Sequence, residues 1–303
     1  MRIFENAAFR FIQSRKTGYL ISGILLLLSV ISLSTRGLEL GIDFKGGMEF
    51  VVESSELLDV NEVTNALSGV LEGATGVKTF GENAVLIATA AEGEINAIES
   101  AILTQIRTSF PDQTHEVIKT DVVGPRFADD LKRGAIQALL ASLLVIFVYI
   151  FFRFEWRFSV GAVAALAHDV TITLGLFSLL QGIVPFSLEI NQAIIAAFLT
   201  IVGYSLNDTV VVFDRIREYT NLFKTDAYDN VVNRSINNTL SRTIITSGTT
   251  LLVVATLFIF GSGALRGFAF ALLVGVIIGT YSSIFVASPV VVELRNRAAA
   301  NRK

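Results

Sequence analysis

Six stretches of the sequence are apolar over a length that can cross a lipid bilayer, which takes about 20 residues of helix. Apolar residues make up 52% of the chain and charged residues 17%, whereas a typical soluble domain has about 25% charged residues. The sequence therefore predicts a polytopic α-helical membrane protein with six transmembrane helices. The predicted spans are Gly18–Leu33, Ala135–Phe152, Ser159–Leu180, Ala193–Phe213, Thr243–Phe260 and Gly267–Val292.

The first apolar stretch follows Arg15 and Lys16 and is open to two interpretations. A cleaved signal peptide would end near Ser32 and Ser34, which are small residues. Because the chain enters the membrane again further on, an uncleaved anchor is the simpler interpretation.

The short connections between the predicted spans differ in their content of basic residues. Lys and Arg are frequent at the N-terminus, after the second and fourth spans and at the C-terminus, whereas residues 181–192 contain neither. Since basic loops are retained in the cytoplasm, we expect both termini to be cytoplasmic.

A hydrophilic segment separates the first span from the other five. Residues 36–133 contain 17 acidic and 8 basic residues, and the orientation above places this segment outside the cytoplasm. The predicted organisation has four parts. These are an N-terminal segment with the first span (1–35), an extracytoplasmic domain (36–133), a five-helix bundle (134–292) with a cytoplasmic loop (214–242), and a basic cytoplasmic tail (293–303).

The extracytoplasmic segment has the alternating and helical periodicities of a mixed α+β domain. The order of its elements is βαββαβ, which suits a ferredoxin-like arrangement. The predicted elements are strand Met48–Glu53, helix Val60–Leu71, strands Val77–Phe80 and Val85–Ala88, helix 95–106 and strand Val117–Val123.

Ionisable residues inside the predicted spans are candidates for function, because a charge at the bilayer centre costs at least ~2.5 kcal/mol. Asp208 lies in the fourth span, and Tyr204 and Ser205 are placed on the same helical face. Arg242 lies at the start of the fifth span, on a polar stripe with Asn238 and Thr246. If these two helices pack together, Asp208 and Arg242 come within side-chain reach. Burial favours the protonated form of a carboxyl and a nearby cation favours the ionised form, so Asp208 can gain and lose a proton. The alternative is a static ion pair between Asp208 and Arg242 that holds the two helices together.

Two further aspartates and a neighbouring amide complete the set of polar candidates. Asp169 lies in the third span beside His168, and adjacent residues point about 100° apart on a helix, so the two are not expected to act as a dyad. Asp169 is either a second relay position or a structural polar residue. Asp214 is predicted to mark the cytoplasmic boundary of its helix, and Asn207 precedes Asp208.

Several classes of function are not supported by the sequence. The absence of cysteine and the presence of only two histidines argue against thiol catalysis and against a Cys- or His-rich metal site. Gly41–Gly47 lacks the spacing of a phosphate-binding loop, and the chain lacks both the G-x-S-x-G elbow of a serine hydrolase and the Gly-x-Gly-Asp of intramembrane aspartyl proteases. A pI near 5.5 argues against nucleic-acid binding. We therefore expect no enzymatic activity, metal or cofactor.

Four segments together resemble the SecD/SecF family, which belongs to the resistance–nodulation–division transporter superfamily. The segment around Asp208 is the most specific of them. The four segments are Gly41–Gly47, Val123–Pro125, Gly203–Glu218 and Ser235–Thr243. The first segment contains Gly41, Asp43, Gly46 and Gly47, and the second contains Gly124 and Pro125.

The resemblance implies an auxiliary subunit of the Sec translocase in the bacterial cytoplasmic (inner) membrane. It implies pairing with SecD, association with SecYEG and YajC, and contact with unfolded exported polypeptide. The implied activity is late-stage protein export driven by the proton motive force. Asp208 and Arg242 correspond to the family's proton-linked residues, and Asp214 and Asp169 match polar family positions. The alternatives are a half-transporter that exports lipids or small molecules and a scaffold of the translocon that moves no protons.

Overall fold

The computed structural model describes residues 8–71, 75–90, 93–261 and 263–300, and six of the helices in this part of the chain are long and apolar enough to cross a membrane. The prediction of six membrane helices with one small sheet domain is confirmed. The elements in chain order are α1 (Arg15–Thr35), α2 (Ile42–Lys45), β1 (Gly47–Ser54), α3 (Val60–Leu67), β2 (Thr75–Phe80), β3 (Ala84–Thr89), α4 (Ile95–Ser109), β4 (His115–Val123), α5 (Pro125–Arg153), α6 (Trp156–Leu180), α7 (Gln192–Leu222), α8 (Tyr228–Phe260), α9 (Gly263–Ser282) and α10 (Ser288–Ala300). A π-helical turn, Ser283–Ala287, joins α9 to α10, so the two form one span.

The membrane helices extend beyond the apolar stretches that predicted them. α7 and α8 continue through most of residues 214–242, so that only 223–227 lie between them. α5 begins at Pro125, before the predicted domain boundary, and α10 continues into the predicted tail. Hydropathy identifies only the part of a helix that lies in hydrocarbon, whereas packing can sustain its polar continuation; Val232 and Ile236 are buried in this part of α8.

The α+β domain has the predicted βαββαβ order and an antiparallel sheet with strand order β2-β3-β1-β4. Alternate residues of the strands, such as Phe50, Val52 and Ile87, pack with buried residues of α3 and α4 on one face of the sheet. Asp59 accepts hydrogen bonds from the first turn of α3 and caps it. The ferredoxin-like classification stays a prediction.

The glycine-rich segment connects the sheet to the membrane helices. It forms a single helical turn, α2, which ends at Gly46 with φ 75°. Gly47 has φ 125°, and a Cβ there would lie 2.6 Å from the carbonyl oxygen of Thr89, so only glycine fits without strain. The carboxylate of Asp43 accepts from the backbone N–H of Gln192 at 2.8 Å, at the start of α7. The motif therefore ties the domain to the N-terminal end of α7.

Close contacts between glycines and neighbouring helices hold the bundle together. A Cβ at Gly275 of α9 would lie 2.3 Å from Ile201 of α7, and one at Gly279 would lie 2.9 Å from Ser205. Gly175 of α6 faces Ser29 of α1 in the same way. Small residues allow helices to approach closely, as the contacts of Gly275 and Gly279 show.

Candidate functional site

Asp208 is buried between α7, α8 and α9, with 4% of its surface exposed. Ser247 of α8 donates a hydrogen bond to it, with 3.2 Å between Oγ and Oδ2. The Ser247 hydroxyl also lies 2.8 Å from that of Thr280 on α9. The carboxyl of Asp208 on α7 is thus bonded to one hydroxyl of α8, which in turn contacts a hydroxyl of α9. Sequence reasoning did not identify Ser247 or Thr280.

Arg242 lies near Asp208 but does not contact it. The two residues interact electrostatically, yet within the described ranges no ion pair up to 4 Å joins Arg242 to a carboxylate. The Arg242 side chain is exposed and borders a cavity of about 570 Å³ together with Asn238 and Asp214. Asp214 is exposed and forms an ion pair with Arg153 at 3.5 Å. The packing of α7 against α8 therefore brings the predicted residues to one region without a direct Asp208–Arg242 contact.

The other polar residues predicted around Asp208 have separate roles. Tyr204 donates from its hydroxyl to Thr250 of α8 at 3.2 Å. The Thr246 hydroxyl donates to backbone carbonyls of its own helix, those of Arg242 and Thr243. Asn207 is exposed on α7.

Asp169 is the centre of a second buried cluster. Its Oδ2 accepts from Ser205 of α7 at 2.6 Å and from Ser282 of α9 at 2.7 Å. Its Oδ1 lies 2.9 Å from Nδ1 of His168. The expectation that His168 and Asp169 do not form a dyad is therefore wrong, because side-chain torsions bring together two groups whose Cα–Cβ bonds diverge. The side chain of Ser205, placed by helical spacing with Asp208, is bonded to Asp169 instead.

A third cluster links the α+β domain to the segments that follow α1 and α6 and precede α7. Lys78 of β2 donates to Glu39, after α1, and to Glu189, before α7, the latter at 2.5 Å. Gln181 also donates to Glu39, at 2.6 Å. Burial opposes the charge of Lys78, but its hydrogen bonds to Glu189 and Glu39 outweigh burial and raise the pKa of Lys78. We call these four residues the Lys78 cluster; no local sequence pattern indicated it.

Glu49 of β1 lies beside the Lys78 cluster, on the sheet face opposite the helices. It borders a cavity of about 320 Å³ with Glu39, Glu189 and Lys78. Burial, followed by the charges of Glu189 and Asp121, raises the pKa of Glu49 to about 7. This carboxyl can therefore change its ionisation near neutral pH. Within the described residues no group of three or more His, Asp or Glu side chains could hold a metal ion.

Comparisons with known proteins agree with this architecture. The family model for "Protein export membrane protein SecD/SecF, C-terminal" matches residues 103–297, and that for the "SecD/SecF GG Motif" matches residues 31–56. The chain is 67% identical to protein translocase subunit SecF of Rhodothermus marinus over 100% of its length and 98% of that protein. The corresponding protein of Desulfurispirillum indicum is 44% identical over 95% of the chain and 92% of that protein.

A solved structure has the same fold. The crystal structure of SecDF, a translocon-associated membrane protein from Thermus thermophilus, is 36% identical, with a TM-score of 0.87 over 98% of this chain. This chain spans 40% of the SecDF chain. The two family models, the relatives and the shared fold have one explanation: the chain belongs to the SecD/SecF family of protein export membrane proteins.

Proposed function

We propose that the chain is a subunit of the Sec protein-export translocase that acts with SecD and uses the proton motive force to drive late-stage translocation. The name shared by the relatives, protein translocase subunit SecF, supports the export role. The observation that supports the use of the proton motive force is the environment of Asp208. Its carboxyl is buried among helices and bonded to a hydroxyl, and among the described residues no cation pairs with it within 4 Å.

A carboxyl in this environment can couple ionisation to helix contacts. The neutral and ionised forms of Asp208 bond differently to Ser247, so proton binding alters the contact between α7 and α8. The cavity bordered by Asp214, Asn238 and Arg242 offers a route from this region to the predicted cytoplasmic side. One charge moving through 100 mV releases about 2.3 kcal/mol, enough to change the populations of states that differ by a few kcal/mol.

Exposed polar residues on α7 and α8 support a partner in the membrane. Asn207, Arg242 and Thr249 are exposed on these helices, and polar groups facing lipid are unfavourable. A second set of spans would cover them, which fits SecD, since the matched SecDF chain is longer than this one. SecYEG and YajC complete the proposed complex in the bacterial cytoplasmic membrane, with both termini cytoplasmic. The α+β domain would contact the emerging unfolded polypeptide.

The experiment is export into vesicles reconstituted with SecD, SecYEG, YajC and this chain, under an imposed proton or sodium gradient. Asp208→Asn keeps the size of the side chain and removes its titration. We expect it to abolish the stimulation by the proton gradient, while Asp226→Asn, an exposed aspartate between α7 and α8, retains it.

Three outcomes would reject parts of this proposal. Unchanged stimulation in Asp208→Asn would indicate a scaffold that moves no protons. Stimulation by a sodium gradient alone would exclude the proton as the coupling ion. If the vesicles exported no polypeptide but released lipid or small molecules, the chain would be the half-transporter instead.

A further inference from the structure

A chain of hydrogen bonds leads from Asp169 across the bundle to α1 and α9. Nδ1 of His168 lies 2.9 Å from Asp169 Oδ1, and Nε2 lies 3.0 Å from the hydroxyl of Ser22 on α1. The Ser22 hydroxyl lies 3.1 Å from that of Tyr281 on α9, which lies 2.7 Å from the carbonyl oxygen of Gly18. His168, Asp169 and Ser22 are all buried, so these groups depend on one another for hydrogen bonds.

The carbonyl of Gly18 sets the direction of this chain, because a carbonyl oxygen can only accept. Tyr281 therefore donates its single hydroxyl proton to Gly18. Tyr281 must then accept from Ser22, which uses the single hydroxyl proton of Ser22. Ser22 in turn accepts from His168, so Nε2 of His168 carries a proton.

The contact between His168 and Asp169 requires one more proton. It lies either on Nδ1, which gives an imidazolium beside a carboxylate, or on Asp169, which gives a neutral imidazole beside a carboxylic acid. Both arrangements contain one proton more than a carboxylate with a neutral imidazole. In the pair without the additional proton, a carboxylate faces a neutral imidazole whose single ring proton lies on Nδ1. Nε2 is then an acceptor, as is the Tyr281 oxygen, and the one hydroxyl proton of Ser22 can bond to only one of them.

The surroundings of the pair favour a form without net charge. Asp169 accepts from two further hydroxyls, those of Ser205 and Ser282. Within the described part of the chain no Lys or Arg pairs with Asp169, and Asp208, further along α7, is bonded to Ser247 instead. An unpaired carboxylate in a low-dielectric interior is costly, whereas the pair with its additional proton is neutral overall.

We propose that His168 and Asp169 form a proton-binding site, separate from Asp208, which holds one proton in this conformation and thereby keeps the hydroxyl of Ser22 on α1 bonded to Tyr281 on α9. Release of the proton from the pair leaves Nε2 bare. The Ser22 hydroxyl then turns to Nε2, and its bond to Tyr281 is lost. Since α1 leads into the α+β domain, proton release leaves the helix that precedes that domain with one contact fewer to α9, while the bond from Tyr281 to Gly18 remains. A role for this proton in export rests on the proposed function. The presence of the proton on the pair does not depend on that function.

The test exploits the fact that the chain has two histidines. The full-length chain, labelled with ¹⁵N-histidine, is placed in lipid bilayers, and its ring nitrogens are observed by solid-state NMR at neutral pH. His168→Gln assigns the signals. His115 gives the second set of signals, from a ring that lies against the Phe110 carbonyl and the Ser54 hydroxyl.

We expect Nε2 of His168 to be protonated at neutral pH, whether the other proton lies on Nδ1 or on Asp169. A bare Nε2 would overturn the proposal. Tyr281→Phe provides a second test, because it frees the Ser22 proton to bond to Nε2. We expect the Nε2 signal in this variant to move towards that of an unprotonated nitrogen that accepts a hydrogen bond. An unchanged signal would contradict the proposed chain of donors, whatever the export activity of Asp208→Asn.

Discussion

Ser247 on α8 donates to Asp208 on α7, with 3.2 Å between the hydroxyl and carboxylate oxygens. The same hydroxyl contacts Thr280 on α9, so one small side chain connects the proposed coupling carboxyl to two neighbouring helices. Its position makes Ser247 the most direct test of whether the surroundings of Asp208 matter for transport.

Ser247→Ala removes this hydroxyl and leaves Asp208 without its donor. An unsatisfied buried polar group costs about 1–3 kcal/mol, so we expect gradient-stimulated export to fall by tenfold or more. Ser247→Thr retains a hydroxyl and is expected to stay near the original rate. Export at equal levels in the Ala and Thr variants would mean that the hydroxyl has no part in the coupling.

Gly275→Ala tests the close packing of α9 against α7. The new Cβ would lie 2.3 Å from Ile201, and overpacking of this kind costs about 1–3 kcal/mol. We expect a lower thermal unfolding midpoint for the full chain in lipid nanodiscs. Gly203→Ala is the matched control, because a Cβ at Gly203 has no described neighbour within 4 Å; equal losses in the two variants would argue against the contact.

Lys78→Met tests the link between the α+β domain and the nearby ends of the membrane helices. Without the ammonium group, Glu39 and Glu189 remain close together and unpaired, so the domain is expected to move away from the connection between α6 and α7. Since the chain lacks cysteine, Glu82→Cys and Ile183→Cys can carry spin labels for a distance measurement. We expect a broader and longer distance distribution.

The control for this experiment is Lys119→Met, which removes an exposed lysine paired with Asp121 on β4 and should leave the distances unchanged. Adding Glu39→Gln and Glu189→Gln to Lys78→Met removes the repulsion and should restore much of the original distribution. A distribution unaffected by Lys78→Met would exclude the Lys78 cluster as a connection between domain and membrane.

The ionisation of Glu49 predicts a pH dependence of the domain's stability. Its pKa is raised by burial and by Glu189 and Asp121 to about 7, from an ordinary value of 4.5. The folded domain therefore binds more protons than the unfolded chain between these values, and its stability falls as pH rises through this interval. At about 1.4 kcal/mol per tenfold change in proton affinity, the whole effect is at most ~3.5 kcal/mol.

Proteolysis of the full chain in nanodiscs during a thermal ramp would measure this effect. The domain is expected to resist cleavage to a higher temperature at pH 5.5 than at pH 8, and Glu49→Gln should remove most of the difference. The same pH dependence in Glu49→Gln would assign the effect to another group.

The sequence by itself determined the six spans and the order of the βαββαβ elements, because apolar length and periodicity are local properties of the chain. It also identified Asp208 and Asp169 as buried polar residues, since an ionisable group within an apolar stretch is visible without a fold. The connection between α7 and α8 was less predictable, because hydropathy does not report where a helix ends in water.

Only the tertiary structure decided which groups meet. Ser205 lies on the same helix as Asp208 yet donates to Asp169 of α6, and Lys78 is far in sequence from Glu189. These contacts follow from how helices and strands pack, and packing depends on residues throughout the chain. The partners of each charge were therefore decided by close approach in three dimensions, which helical spacing within one segment cannot specify.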